Sequence, residues 1–221
     1  MTRHALSVGL FAVAACLAPV CQAATLDAFV TDEAGKPLAD AVVVATPSGD
    51  TAGRSAGGKT SDVAQQGRQF MPYVRAVQAG TAVSFPNRDD VRHHVYSFSP
   101  AKVFELKLYR GTPEKPIVFD KPGVVTLGCN IHDWMLGYIY VTDSPYFGVS
   151  GADGHVNMSN LPAGAYVVRA WHPASIASEA DSQRGIDVAR DTNQELAFKL
   201  KIKPELNRVR RAPTSSGGGY R

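Results

Sequence analysis

The sequence predicts an all-β protein of sandwich type. Two observations carry this. No stretch holds a long helical period, and short runs rich in Val, Ile, Phe, Tyr and Leu alternate with clusters of Gly, Pro, Asn and Asp. Strands are expected at Leu26–Thr31 and Ala41–Thr46, separated by the turn signal Glu33-Ala34-Gly35-Lys36. They follow at Tyr73–Val77, Thr81–Phe85, His94–Phe98, Phe104–Leu108 and Ile117–Phe119. Lys121-Pro122-Gly123 then opens Val124–Cys129, and Leu136–Val141 comes next. Ala152-Asp153-Gly154 precedes a strand at His155–Met158, and Leu161-Pro162-Ala163-Gly164 precedes Ala165–His172. Gly185–Val188 and Glu195–Lys201 complete the set.

Between Pro47 and Gln69 the composition turns to Ser, Gly, Ala, Thr and Gln, as in a surface loop or linker. A second break falls at Asp143-Ser144-Pro145. From Pro204 the chain is polar, basic and rich in Gly and Ser, which predicts a disordered basic tail over 204–221.

The formal net charge of +3 is too small to argue for nucleic acid. Arg3 and His4 precede an apolar run from Ala5 to Val20, and Cys21-Gln22-Ala23 puts small residues at the cleavage positions. This reads as a secretory signal peptide over 1–23 and predicts a periplasmic protein without a transmembrane anchor. Val13-Ala14-Ala15-Cys16 also matches a lipobox, which would leave Cys16 lipidated and the chain tethered to a membrane. The site at Ala23 is better placed before the first strand. Cleavage there removes Cys16 and Cys21 and leaves Cys129 alone. A lone thiol in an oxidising compartment is a liability unless something occupies it.

Cys129 has company. It opens Cys129-Asn130-Ile131-His132-Asp133-Trp134-Met135, so a thiolate, an imidazole and a thioether fall within seven residues. A strand-like run follows and can hold them still. A second imidazole source, His93-His94, lies upstream. Two His, one Cys and one weak Met ligand are the soft N/S set that suits a mononuclear copper electron-transfer site, whereas Met is a poor zinc ligand. Adjacent side chains on a strand point to opposite faces, so only one of His93 and His94 should reach a metal. Other chemistry finds no support. His4, His155 and His172 lack partners at ligand spacing, and the neighbours Asp89 and Asp90 do not make an acid/base pair. No phosphate loop appears and nothing singles out a nucleophilic Ser, so the chain is not expected to be an enzyme.

The stretch from about Gln69 to Thr142 resembles the cupredoxins, the small blue-copper proteins, and has the short ligand-loop spacing of amicyanin. The resemblance rests on Val77–Phe85, on Asn87-Arg88-Asp89-Asp90-Val91-Arg92-His93, on Lys121-Pro122-Gly123 and on the Cys129–Met135 loop. It implies one type 1 copper ion, with His93, Cys129 and His132 as strong equatorial ligands and Met135 as the long axial one. It also implies transient redox partners, docking near His132 and Trp134. Trp134 would either form part of an apolar patch there or pack inward. The sequence departs from the family twice. His94 stands where an Asn often braces the Cys loop, so that brace must differ. Asp133 stands where amicyanin-like loops carry Pro, and its carboxylate would favour the His132 imidazolium if it approached the ring.

Residues 28–43 and 152–168 together resemble the carboxypeptidase regulatory-like domain, a small transthyretin-like β-sandwich. This implies a cupredoxin-like Greek-key β-sandwich over 61–145, inserted in a second small sandwich made of 24–60 and 146–203. The alternative is that the second sandwich merely flanks the first. The functional expectation is an exported one-electron carrier. The alternatives are a copper-binding or copper-handling protein, or a non-redox partner-binding module.

Overall fold

The computed structural model describes residues 24–49, 58–190 and 192–203. The expected signal peptide, with Cys16 and Cys21, and the basic tail lie outside the described residues, as does residue range 50–57 of the expected linker. Among the described residues no helix is long and apolar enough to cross a membrane.

The described chain is nearly all strand. Its first strands are β1 (Ala24–Asp32), β2 (Val42–Pro47), β3 (Thr60–Asp62), β4 (Ala64–Gln65), β5 (Phe70–Met71), β6 (Val74–Gln78) and β7 (Thr81–Ser84). Next come β8 (His93–Ser99), β9 (Lys102–Tyr109), β10 (Ile117–Phe119), β11 (Gly123–Gly128), β12 (Leu136–Thr142) and β13 (Tyr146–Val149). The last are β14 (His155–Leu161), β15 (Gly164–Trp171), β16 (Arg184–Val188) and β17 (Asn193–Leu200), with a single 3-10 turn at Glu179–Ser182. The stretch expected as loop after Pro47 therefore contains β3 and β4. β3 runs parallel to β7, and Gln65 of β4 is fully buried.

Two sandwiches share the chain. In one, the sheet β14-β1-β17 faces the sheet β13-β2-β15-β16 across a core that includes Leu26, Val30, Val43, Leu161, Val168 and Phe198. Its strands come from both ends of the described chain, because β1 pairs with β14 and β17, and β2 with β13 and β15. In the other, the sheet β6-β12-β11-β8-β9 faces β10-β7-β3 across Phe85, Phe119, Val125, Leu127 and Ile139. Each fully buried side chain of this kind contributes ~1.5–3 kcal/mol.

The sandwiches touch back to back. Val42 and Val44 of β2 pack on Val74 of β6 and Tyr140 of β12, with Tyr138 and Trp171 at the margin. Successive strand residues point to opposite faces. β12 therefore sends Ile139 and Val141 into one core and Tyr138 and Tyr140 toward the other sandwich.

Candidate metal centre

Alternation along β11 delivers Cys129 to the interior. Val125 and Leu127 are fully buried, Thr126 between them is exposed, and Cys129 continues the inward row at 4% exposure. Gly128 has no choice of side chain, because a Cβ there would lie 2.6 Å from the Tyr96 ring. Beyond Cys129 the chain turns tightly, and the Met135 amide donates to the His132 carbonyl at 2.9 Å. Met135 is 2% exposed and belongs to the same apolar cluster as Cys129.

His93 arrives from the other side, at the start of β8. Asn87 builds the loop before it. Its side-chain oxygen accepts from the Asp89 amide at 3.0 Å, an Asx turn, and its side-chain nitrogen donates to the Val91 and Tyr109 carbonyls. The Asn87 amide donates to the Gly111 carbonyl at 2.7 Å. The pairing of β8 with β9 shifts register between His93 and Val95, an irregularity of the kind that re-aims a side chain next to a site.

The result is a compact donor set. The Cys129 Sγ lies 3.9 Å from the His93 Nδ1 and 3.9 Å from the His132 Nδ1. One ligand atom from each residue falls within 4.8 Å of the other two. The two imidazole rings are 5.0 Å apart. His94 goes elsewhere, with its Nε2 2.8 Å from the Glu105 Oε1.

The surroundings of the site act on His132 and on Asp89. Burial first, and then the neighbouring His93 and Arg68 side chains, hold His132 below the ordinary imidazole range, against an opposing pull from Asp89. Asp133 is exposed, and the carboxylate acting on His132 is Asp89. Burial pushes the Asp89 carboxyl up, but hydrogen bonds from the Arg68 amide, His93 and the Gly67 amide bring it below its usual value. Beneath the site Tyr109 donates its hydroxyl hydrogen to the Phe85 carbonyl at 2.6 Å and is bonded by the Gln65 amide. Burial pushes Tyr109 up to about 12, the Gln65 bond opposes this, and Cys129 adds to the rise.

No protein-family model matches the chain, and no curated protein matches it. Solved structures align with part of it. A copper-containing nitrite reductase (NirK) from Thermus scotoductus SA-01 aligns at 26% identity and a TM-score of 0.36, over 43% of this chain and 25% of that one. The chain thus spans about a quarter of that reductase. A purple cupredoxin from Nitrosopumilus maritimus aligns at 22% identity and 0.33, over 37% of this chain and 99% of that one. A reduced amicyanin variant aligns at 19% identity and 0.34, over 44% and 97%.

The separations within the site have their own meaning. A metal about 2.3 Å from a thiolate and about 2.0–2.1 Å from an imidazole nitrogen, at tetrahedral to trigonal angles, sets those two atoms ~3.6–3.8 Å apart. The observed 3.9 Å distances fit one ion held between Cys129, His93 and His132.

His132 is only partly buried. Trp134 lies beside it, with ring centroids 5.1 Å apart, and packs against the cluster that holds Cys129. Next to His132, Ile131 is 46% exposed. Asp89, set aside in the sequence as no acid/base partner of Asp90, stands instead against His93, with its Oδ2 2.8 Å from the His93 Nε2. Its signal is the i,i+4 spacing to His93.

Proposed function

We propose that this chain is an exported type 1 (blue) copper protein that carries one electron at a time between redox partners in the periplasm, and that it is not an enzyme. The observation that carries the reading is the Cys129 sulfur equidistant from two imidazole Nδ1 atoms. His93, Cys129 and His132 would hold one copper ion, with Met135 as the weak axial ligand. A thiolate with two imidazoles suits both copper oxidation states, and a weak fourth ligand leaves the potential free to be tuned. Ligands fixed by two packed sheets move little, which favours rapid electron exchange.

A transient partner would dock where His132 reaches the surface, over Ile131 and the edge of Trp134; a weak encounter needs little area. The sandwich of β1, β2 and β13 to β17, with its resemblance to the carboxypeptidase regulatory-like domain, would act as a scaffold. The test is the visible and EPR spectrum of the mature protein loaded with Cu(II), beside Cys129→Ser. An intense thiolate-to-copper band with narrow hyperfine splitting, lost in the variant, supports the reading. A colourless protein, or a Cu(II) spectrum indifferent to Cys129, overturns it.

A further inference from the structure

Asp89 gathers three donors from two separate segments. Its Oδ2 lies 2.8 Å from the His93 Nε2 and accepts from the Arg68 amide at 2.8 Å, and its Oδ1 accepts from the Gly67 amide at 2.7 Å. Gly67 and Arg68 are the central residues of the turn between β4 and β5. Both have positive φ, +63° and +56°, as a tight hairpin turn of the primed kind requires. The turn thereby aims two backbone N–H groups at one carboxylate. The His93 side chain is fully buried, and that of Asp89 is 14% exposed.

A neutral imidazole carries one ring hydrogen, and an ionised carboxylate can only accept. The hydrogen of His93 therefore belongs on Nε2, facing Asp89, and the lone pair of Nδ1 faces Cys129. His132 has no carboxylate partner on its ring among the described residues.

We propose that Asp89 is a positioning residue, which fixes the Nε2–H tautomer of His93 and clamps the Gly67-Arg68 turn onto the ligand loop. A carboxylate behind a ligating imidazole also raises the basicity of the ligand. The negative charge favours the higher oxidation state of a bound metal and so lowers its reduction potential. This consequence rests on the copper reading, whereas the tautomer does not.

The experiment compares full-length wild type with Asp89→Asn and Asp89→Glu. Asn keeps the shape of the side chain but offers one acceptor where three donors converge. Nitrogen-15 NMR of the metal-free proteins reads the His93 tautomer directly. The expected result is Nε2–H in wild type and in Asp89→Glu, and a mixed or Nδ1–H population in Asp89→Asn. A wild-type His93 protonated on Nδ1, or a tautomer unmoved in Asp89→Asn, overturns the proposal. Copper competition and voltammetry then read the metal side. Asp89→Asn should bind copper about 10–100-fold more weakly and show a raised potential. Unchanged affinity and potential beside an intact wild-type thiolate band overturn the tuning role. A wild type without that band overturns the copper reading, and the tautomer still decides whether Asp89 positions His93.

Discussion

Tyr140 donates its hydroxyl hydrogen to the Glu179 Oε2 at 2.6 Å, joining the strand that follows the ligand loop to the 3-10 turn of the other sandwich. Tyr140 is 5% exposed, and Arg169 stands 3.9 Å from the same carboxylate oxygen. Hydrogen bonds to charged groups are worth ~1.5–3 kcal/mol. Tyr140→Phe keeps the packing and deletes the bond, so it should destabilise the protein by ~1–2 kcal/mol in urea unfolding. Glu179→Gln retains an acceptor and should lose less. Equal losses in the two variants would mean that the charge of Glu179, not the bond, matters.

Gly128 stands opposite Tyr96 where the strand that delivers Cys129 pairs with β8. An added Cβ would meet the Tyr96 ring at 2.6 Å, and that ring is in contact with Phe98 and His94 on either side. Gly128→Ala should cost ~1–3 kcal/mol through overpacking. Adding Tyr96→Ala should recover part of that loss. A double variant no better than the sum of its parts would show that the strain lies in the backbone instead.

The Asn87 side chain makes three hydrogen bonds, two within the loop before His93 and one to the Tyr109 carbonyl at the end of β9. Asn87→Ala would leave two carbonyls and one amide without their partner. The expected loss is ~2 kcal/mol of stability in chemical denaturation of the metal-free protein, with weaker copper binding. Full stability in that variant would assign the shape of the loop to its other bonds.

His172 sets a pH dependence. It is 2% exposed, its Nε2 donates to the Ala39 carbonyl at 3.1 Å, and its Nδ1 accepts from the Ala174 amide at 3.1 Å. Burial lowers it from 6.5 to about 4, against a small pull from the Ala39 carbonyl. Between those values the unfolded chain takes up a proton that the folded chain refuses. Stability is therefore full above about pH 6.5 and falls as the pH drops toward 4, by up to about 3 kcal/mol. Urea midpoints at pH 7 and pH 5 should separate in wild type and converge in His172→Gln. The same slope in both would assign the acid sensitivity to other groups.

Much of this architecture is legible in the sequence, and the exceptions have physical causes. The expected strands recur because their β-branched and aromatic runs end at Gly- and Pro-bearing turns. β3 and β4 escape notice because they are two or three residues long and carry few apolar side chains; β3 pairs with the distant β7, and β4 with the equally short β5 across one tight turn. β13 is four residues long and carries Gly148, a residue depleted in strands; here a Cβ would lie 2.5 Å from the Val156 side chain. In the site, Cys129, His132 and Met135 announce themselves by their spacing. The partner of His93 does not. A carboxylate four residues earlier on an irregular loop has no fixed face, and a turn more than twenty residues upstream supplies its other donors.

β1 lies between β14 and β17, and β2 between β13 and β15, so both take their neighbours from beyond the ligand-bearing strands. The ligand-bearing strands, from Thr60 to Thr142, find their partners among themselves. A polypeptide released amino end first can thus finish its pocket while β1 and β2 still wait with open edges. Those edges are a part of the nascent molecule that must be shielded from its neighbours until β13 to β17 arrive.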